Sequence, residues 1–359
     1  MQKSITGAGL MRFGLDLPDT IQFYSAKFSF YGFVIQVKCQ DMQTLQKIQR
    51  DYSFFLNQEA FPEVFFEVFN YAPDYSKLPC VTAHLYTPRN ICYKQEGVSF
   101  LDYFGKGLMI INQDRDVYQV FCADEHLRHE IVFLSIMSLV GENLDSRNIH
   151  RVHGLGLAVN NQGVLILLPS GGGKTTFLLD IIKNQSVRLL SEDSPLIDAS
   201  GRMLAFPLRI GVSHENKPRD IPEGQMHLIN RMEFGSKYVI DVDFFKDKIA
   251  KEPVVLRHIL CGVRCLGNQS GIKKISKYYA FKQLVQNSVV GLGLYQGVEF
   301  LFQRGLWEAL KKSGVILSRL KNSCKILSQA SSYSFIIGPD RSKNVKEFMD
   351  FCRAHAERV

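Results

Sequence analysis

No stretch of this sequence stays apolar long enough to cross a bilayer. The longest such run, "IVFLSIMSLVG" at 131–141, is well short of the roughly 20 residues a membrane helix needs and reads as a buried helix. The N-terminal "MQKSITGAGLMRFGLDLPD" lacks the apolar segment of a secretory signal, so no membrane partner and a cytoplasmic location are expected. Dense Lys/Arg runs are missing too: 43 basic and 35 acidic residues leave a net charge of +8, thinly spread. Such a surface suits phosphates or acidic peptides and argues against nucleic acid as a partner. There is no disulfide framework either, because the eight cysteines are scattered without regular spacing, as befits a reducing compartment. Cys261 and Cys265 form a C-x3-C pair with no second Cys/His pair nearby to complete a zinc site, so packed thiols are expected there. Internal repeats and low-complexity segments are absent.

What remains is an ordinary globular composition, 46% hydrophobic and 22% charged over 359 residues, enough for two domains with separate cores. Residues 1–122 read as an N-terminal α+β domain. "FSFYGFVIQVKC" and "EVFFEVFNY" are strand-like, and "GLMIINQDRDVYQVFC" reads as a hairpin turning at Asn112–Asp116. Asp41 is a plausible N-cap for a helix over "MQTLQKIQRDYSFFL", with Leu45, Ile48 and Tyr52 on one face. This part carries no chemical motif; its strand edges and aromatics suit recognition of a peptide or protein acceptor. A second helix opens near Asp124 and places His126 and His129 at i,i+3, with no third ligand to make a metal site.

From Arg151 the texture changes. "RVHGLGLAV" and "GVLILLP" are apolar strand-like runs, "TTFLLDIIKN" is helical, and "VRLLSEDSPLID" is a strand ending in acids. The alternation predicts a βαβ unit with a buried parallel sheet, so 123–300 are expected to form an α/β nucleotide-binding domain. Residues 301–359 follow as a C-terminal helical tail with one strand, "SYSFIIG".

Between the second strand and the helix lies "LPSGGGKTT". Consecutive glycines weaken regular structure, but they let backbone N–H groups converge on an anion, and the helix start adds partial positive charge. Against the G-x-x-x-x-G-K-[ST] pattern the loop supplies Gly173, Lys174 and Thr175, while Leu168 stands where the first glycine belongs. Lys174 would reach the β/γ-phosphates, and Thr175 would ligate Mg²⁺. Ser170, Gly171, Gly172, Gly173, Lys174, Thr175 and Thr176 are therefore the expected ATP contacts. His153 on the preceding strand and Glu192-Asp193 at the end of the following one would open onto the same crevice.

His153-Gly154, "SGGGKT" and Glu192-Asp193 together resemble the catalytic domain of HPr kinase/phosphorylase, over about residues 150–212, and more closely the HPr-kinase-related proteins of modified-peptide gene cassettes. The resemblance implies a P-loop kinase domain of the HPr kinase / PEP carboxykinase type, with ATP and Mg²⁺ as cofactors and a serine on a protein or peptide as acceptor. It implies Glu192 as the base that takes the serine proton, His153 as a catalytic partner, and Asp193 with Thr175 as ligands of Mg²⁺. Arg209, Lys217 and Arg219 are candidate phosphate clamps. The Arg-Gly-x-Gly signature of true HPr kinases is missing, and "ILCGVRCLG" does not supply it, which argues against phosphorylase activity and against HPr as substrate. The other reading is a non-catalytic ATP-binding accessory protein of a peptide-modification cassette. The pattern is compatible with a homo-oligomer and does not identify one.

Overall fold

The structure is a computed structural model that describes residues 22–169, 171–230, 235–289 and 306–356. Its contacts divide the chain into two units, one running to Val140 and including Leu228–Lys237, the other comprising Gly141–His227 and Tyr238 onward. The fold class is mixed α/β, with large mixed sheets and helices.

The first unit contains β1 (Tyr24–Phe30), β2 (Phe33–Cys39), α1 (Met42–Asp51), β3 (Val64–Phe69), β4 (Ala83–Tyr86), β5 (Ile91–Gln95), β6 (Val98–Asp102), β7 (Leu108–Asn112) and β8 (Val117–Phe121). The strands form one sheet in the order β1-β2-β3-β8-β7-β6-β5-β4. Two pairings in it, β2 with β3 and β3 with β8, are parallel. The hairpin turns where the polar run predicts, between Asn112 and Val117. Asp41 caps α1 by accepting from the Gln43 and Thr44 amides, both at 3.1 Å, and Leu45, Ile48 and Tyr52 are buried. The helix stops at Asp51, however, and a 3₁₀ turn covers Ser53–Phe55. Tyr52 lies at the C-cap, where its ring stacks on Phe133 and its hydroxyl donates to the Phe133 carbonyl at 2.8 Å. Its amide still donates to the Ile48 carbonyl at 3.1 Å, so the helical face extends to Tyr52 and the difference is in the turn that follows.

Helix α2 (Glu125–Ser146) buries Ile131, Val132, Ile136 and Val140, as the apolar run predicts. His126 is exposed, whereas His129 is buried with Nε2 2.7 Å from Asp51 Oδ2. No group of three metal-ligating side chains occurs among the described residues, and none of the described helices is long and apolar enough to cross a membrane.

The second unit contains β9 (His150–Arg151), β10 (Leu155–Val159), β11 (Gln162–Leu167), α3 (Lys174–Ile181), β12 (Val187–Ser191), β13 (Leu196–Ile197), β14 (Arg202–Leu204) and β15 (Ile210–Val212); β16 (Met226–Ile229) and β17 (Lys237–Ile240) straddle the ends of the Leu228–Lys237 segment; β18 (Val254–Arg264), β19 (Gly271–Lys274), α4 (Lys277–Leu284), α5 (Leu306–Gln329), β20 (Ser331–Ile337) and α6 (Arg341–Ala356) complete the second unit. Its main sheet runs β12-β10-β11-β18-β14-β13-β9, with β20 beside β18 and β19 beside β20.

The sheet expected to be parallel is mixed, although β11 and β12, on either side of α3, run in the same direction. β10 is antiparallel to both β11 and β12 and lies between them, while β18 runs parallel to β11 and to β20. The "NNQG" turn is tight enough to send the chain straight back, so β10 and β11 form a hairpin where a parallel pair would need a longer crossover. The expected strand over "RVHGLGLAV" is also broken. β9 pairs with β13, and His153 lies in the bend before β10. The C-terminal strand is β20, which is integrated into this sheet. Helix α3 buries Phe177, Leu178 and Ile181. The Phe177 ring meets Phe335 of β20 at 5.4 Å and Phe348 of α6 at 5.3 Å. Each such buried side chain contributes ~1.5–3 kcal/mol, which fixes α3 and the loop before it against the sheet.

Candidate active site

The mixed sheet still delivers the expected residues to one edge. Leu155 at the start of β10 faces Ile166 near the end of β11, and Gly156 faces Ser191 at the end of β12. The His153 bend, the glycine loop after β11 and the Glu192-Asp193 turn therefore share that edge.

The three glycines have separate reasons. Gly171 and Gly173 have φ of 73° and 96°, a region where a Cβ meets the backbone. At Gly172 a Cβ would lie 2.8 Å from the Pro169 carbonyl oxygen, the same atom that accepts the Gly172 N–H at 2.9 Å. Gly173 then serves as the N-cap of α3, whose first N–H groups have no intrahelical partner. Ser170, an expected contact, lies outside the described residues.

Leu168 is accommodated by β18. Its side chain is 1% exposed, and a Cβ on Gly262 would fall 2.2 Å from Leu168 Cδ2. The strand next to the loop thus lacks a side chain where the loop has an extra one, and the backbone exit from β11 is kept.

Lys174 is 6% exposed. Its ammonium donates to the Leu168 carbonyl at 3.0 Å and to His153 Nε2 at 2.9 Å. With Nε2 accepting, the ring proton is on Nδ1, which faces Asp193 Oδ1 at 3.3 Å. The same carboxylate oxygen is 3.5 Å from Lys174 Nζ. Backbone bonds hold this trio: the Gly154 N–H donates to the Asp193 carbonyl at 3.1 Å, and the Val152 N–H to that of Pro195 at 3.0 Å. The Ser194 N–H donates to Ser191 Oγ at 3.1 Å, closing the turn that displays the two acids.

The acids point to different partners. Thr175 Oγ1 donates a short hydrogen bond to Glu192 Oε1, whereas Asp193, its side chain 48% exposed, is the one beside His153 and Lys174. The resemblance implies that Thr175 shares Mg²⁺ with Asp193, whereas the acid that the Thr175 hydroxyl meets here is Glu192. The bend at Glu192-Asp193, closed by the Ser194 N–H on Ser191 Oγ, is where the two side chains part to these different partners. A hydroxyl and one carboxylate, without a full protein cage, form the donor set that Mg²⁺ takes when substrate phosphates complete its shell, so Thr175 and Glu192 fit that ion.

A cleft of about 520 Å³ extends from the loop along α3, lined among others by Lys174, Thr175, Thr176, Asp193, Lys217 and Arg219. Of the candidate clamps, Lys217 and Arg219 thus reach it and Arg209 does not line it. Lys217 Nζ also lies 4.6 Å from the Tyr238 ring centroid.

Two cleft cations were not legible from the motif. Lys183 pairs with Asp220 at 2.7 Å, and this hydrogen bond holds the Asp220 carboxyl below its usual range. Arg341, at the start of α6, forms a bidentate pair with Asp180 at 2.5 and 2.8 Å. No spacing rule connects a residue near the C-terminus to a loop at 170; only the β20–α6 fold does. Cys261 is buried, which pushes its thiol up to about 12, consistent with a packing role.

Compared with known proteins, the chain matches no family model and no curated protein.

Proposed function

We propose that the second unit is an ATP-dependent phosphotransferase of the HPr-kinase-like type, acting on a serine of a protein or peptide. The observation that carries this reading is the convergence at one sheet edge of a three-glycine cradle, a buried Lys174 bonded to His153, and two carboxylates turned to opposite tasks. A linker would need none of these. The serine acceptor class rests on the resemblance of "SGGGKT", His153-Gly154 and Glu192-Asp193 to that family.

Phosphoryl transfer asks for charge neutralisation and a positioned hydroxyl. Lys174 and the loop amides hold the phosphates, and Thr175 with Glu192 are the residues that would hold Mg²⁺, which neutralises developing charge. Asp193, open to the cleft, takes the proton of the serine hydroxyl as its oxygen bonds to the γ-phosphorus and the bond to the β-phosphate oxygen breaks. His153, whose Nδ1 lies 3.3 Å from Asp193 Oδ1, stands beside that carboxylate as a positioning residue. A general base contributes roughly 10²–10⁴-fold.

The test is γ-labelled ATP with the full chain and serine-containing peptides encoded beside it. Labelled peptide with wild type and none with Lys174→Ala is the expected result. Binding of Mg-ATP without transfer to any acceptor would instead make the chain a nucleotide-binding accessory protein. Absence of Mg-ATP binding refutes both.

A further inference from the structure

β18 ends beside the glycine loop, and its last residue is Arg264. Leu167 of β11 pairs with Cys261 of β18, so the two chains leave the sheet together. The Arg264 guanidinium reaches back over the loop, with Nη1 3.5 Å from the position a Cβ on Gly173 would take. Gly173 is the N-cap of α3, so this cation stands at the positive end of a helix dipole, which disfavours a positive charge there. Among the described residues Arg264 makes no hydrogen bond and no ion pair that would offset this. Of the cations lining the adjacent cleft, Lys183, Lys217 and Arg341 each have a carboxylate partner, and among the described residues Arg219 has none.

We infer that Arg264 is a phosphate-contacting residue, supplied by β18 to the phosphate chain that the glycine loop holds. This deepens the phosphotransferase reading and rests on it. A polyphosphate in the loop turns this unfavourable placement into a complementary one, met by the loop amides and by the guanidinium from β18. The planar fork of arginine suits two oxygens of one phosphate, where lysine offers a single point charge. The neighbouring Gly262 serves the same end, since any side chain there would displace Leu168 and with it the loop that Arg264 overlies.

Binding of inorganic tripolyphosphate and of Mg-ATP to the full-length protein tests this by calorimetry, in wild type, Arg264→Ala, Arg264→Lys and Arg257→Ala. Arg257 is an exposed arginine earlier on the same strand, so its loss changes net charge equally. The expected result is about a tenfold or greater loss of tripolyphosphate affinity in Arg264→Ala, as for one charge-assisted contact. Arg264→Lys recovers part of it, Arg257→Ala keeps wild-type affinity, and the ligand-free melting temperature of Arg264→Ala is equal to that of wild type or higher, because a cation is removed from the helix N-terminus. Equal affinity in wild type and Arg264→Ala overturns the inference, as does an equal loss in Arg257→Ala. If wild type binds tripolyphosphate through Arg264 but Mg-ATP no more tightly, the anion contact stands and the nucleotide reading falls. If Mg-ATP binds tightly with no Arg264 dependence, the nucleotide reading stands and this contact falls.

Discussion

Replacing Gly262 with alanine puts one methyl group into the tightest point beside the glycine loop. The new Cβ would lie 2.2 Å from Leu168 Cδ2, 2.5 Å from its Cγ and 3.3 Å from the Leu167 carbonyl oxygen. β18 cannot retreat, because Cys261 pairs with Leu167 on one side and Gly262 with Phe335 on the other. Leu168 must move, and at 1% exposure it has no solvent to move into. Overpacking of this kind costs about 1–3 kcal/mol. Leu168→Ala alone should cost ~2–5 kcal/mol through its cavity. In the double variant the two errors offset, since the alanine methyl at 262 occupies part of the space the leucine leaves. A coupling of at least ~1 kcal/mol is expected in a cycle measured by urea unfolding of all four proteins. Mg-ATP affinity should fall in Gly262→Ala, because the Leu168 carbonyl that accepts from Lys174 shifts with its residue. If the two substitutions add within ~0.5 kcal/mol, Gly262 is not what allows leucine at 168.

Two further perturbations separate chemistry from scaffold. Asp193→Asn should abolish phosphoryl transfer with Mg-ATP affinity nearly intact, while Glu192→Gln should weaken Mg-ATP binding and be partly rescued by excess Mg²⁺; turnover measured against Mg²⁺ concentration decides it, and the reverse pattern would make Glu192 the base. His258 is buried among Tyr333, Phe351 and His355, and burial, then the charges of His355 and Arg257, lower its pKa to about 4. The unfolded chain binds this proton near pH 6.5 and the native one does not, so stability is full above that value and falls as pH drops from 6.5 toward 4. The loss amounts to ~2 kcal/mol once solvent screening is allowed for. His258→Phe should flatten that window in urea midpoints taken from pH 7 to 4.5, and an unchanged slope would refute the assignment.

Local signals carried much of the fold. The Asp41 cap, the polar turn of the β7–β8 hairpin and the apolar face of α2 are written in neighbouring residues, and the structure has all three. What failed was pairing. "RVHGLGLAV" and "GVLILLP" have the hydrophobicity of buried strands, and a buried strand reads the same whether its neighbour is parallel or antiparallel. The "NNQG" turn between them was the available hint. Asn160 and Asn161 both adopt positive φ, at 50° and 62°, as a two-residue hairpin of the I′ type requires. Tyr52 shares the buried face that its spacing predicts, and what the spacing does not show is the partner its hydroxyl finds at Phe133, 81 residues away.

The site divides along the same line. The cradle was legible because its chemistry is local: φ values and a close carbonyl dictate glycine within a few residues of Lys174. Which acid meets which partner was not, since Glu192 and Asp193 are adjacent and chemically alike, and only the bend held by Ser191 and Ser194 sends one to Thr175 and the other to His153. The leucine at 168 shows why motif matching alone misleads here. A glycine missing from a loop can be returned by a glycine on the neighbouring strand, 94 positions later, because what the backbone needs is empty space at one point and not a residue type at one position. A loop that departs from its pattern is therefore judged against the strand that packs on it. For this chain that strand supplies both the vacancy at Gly262 and the cation at Arg264.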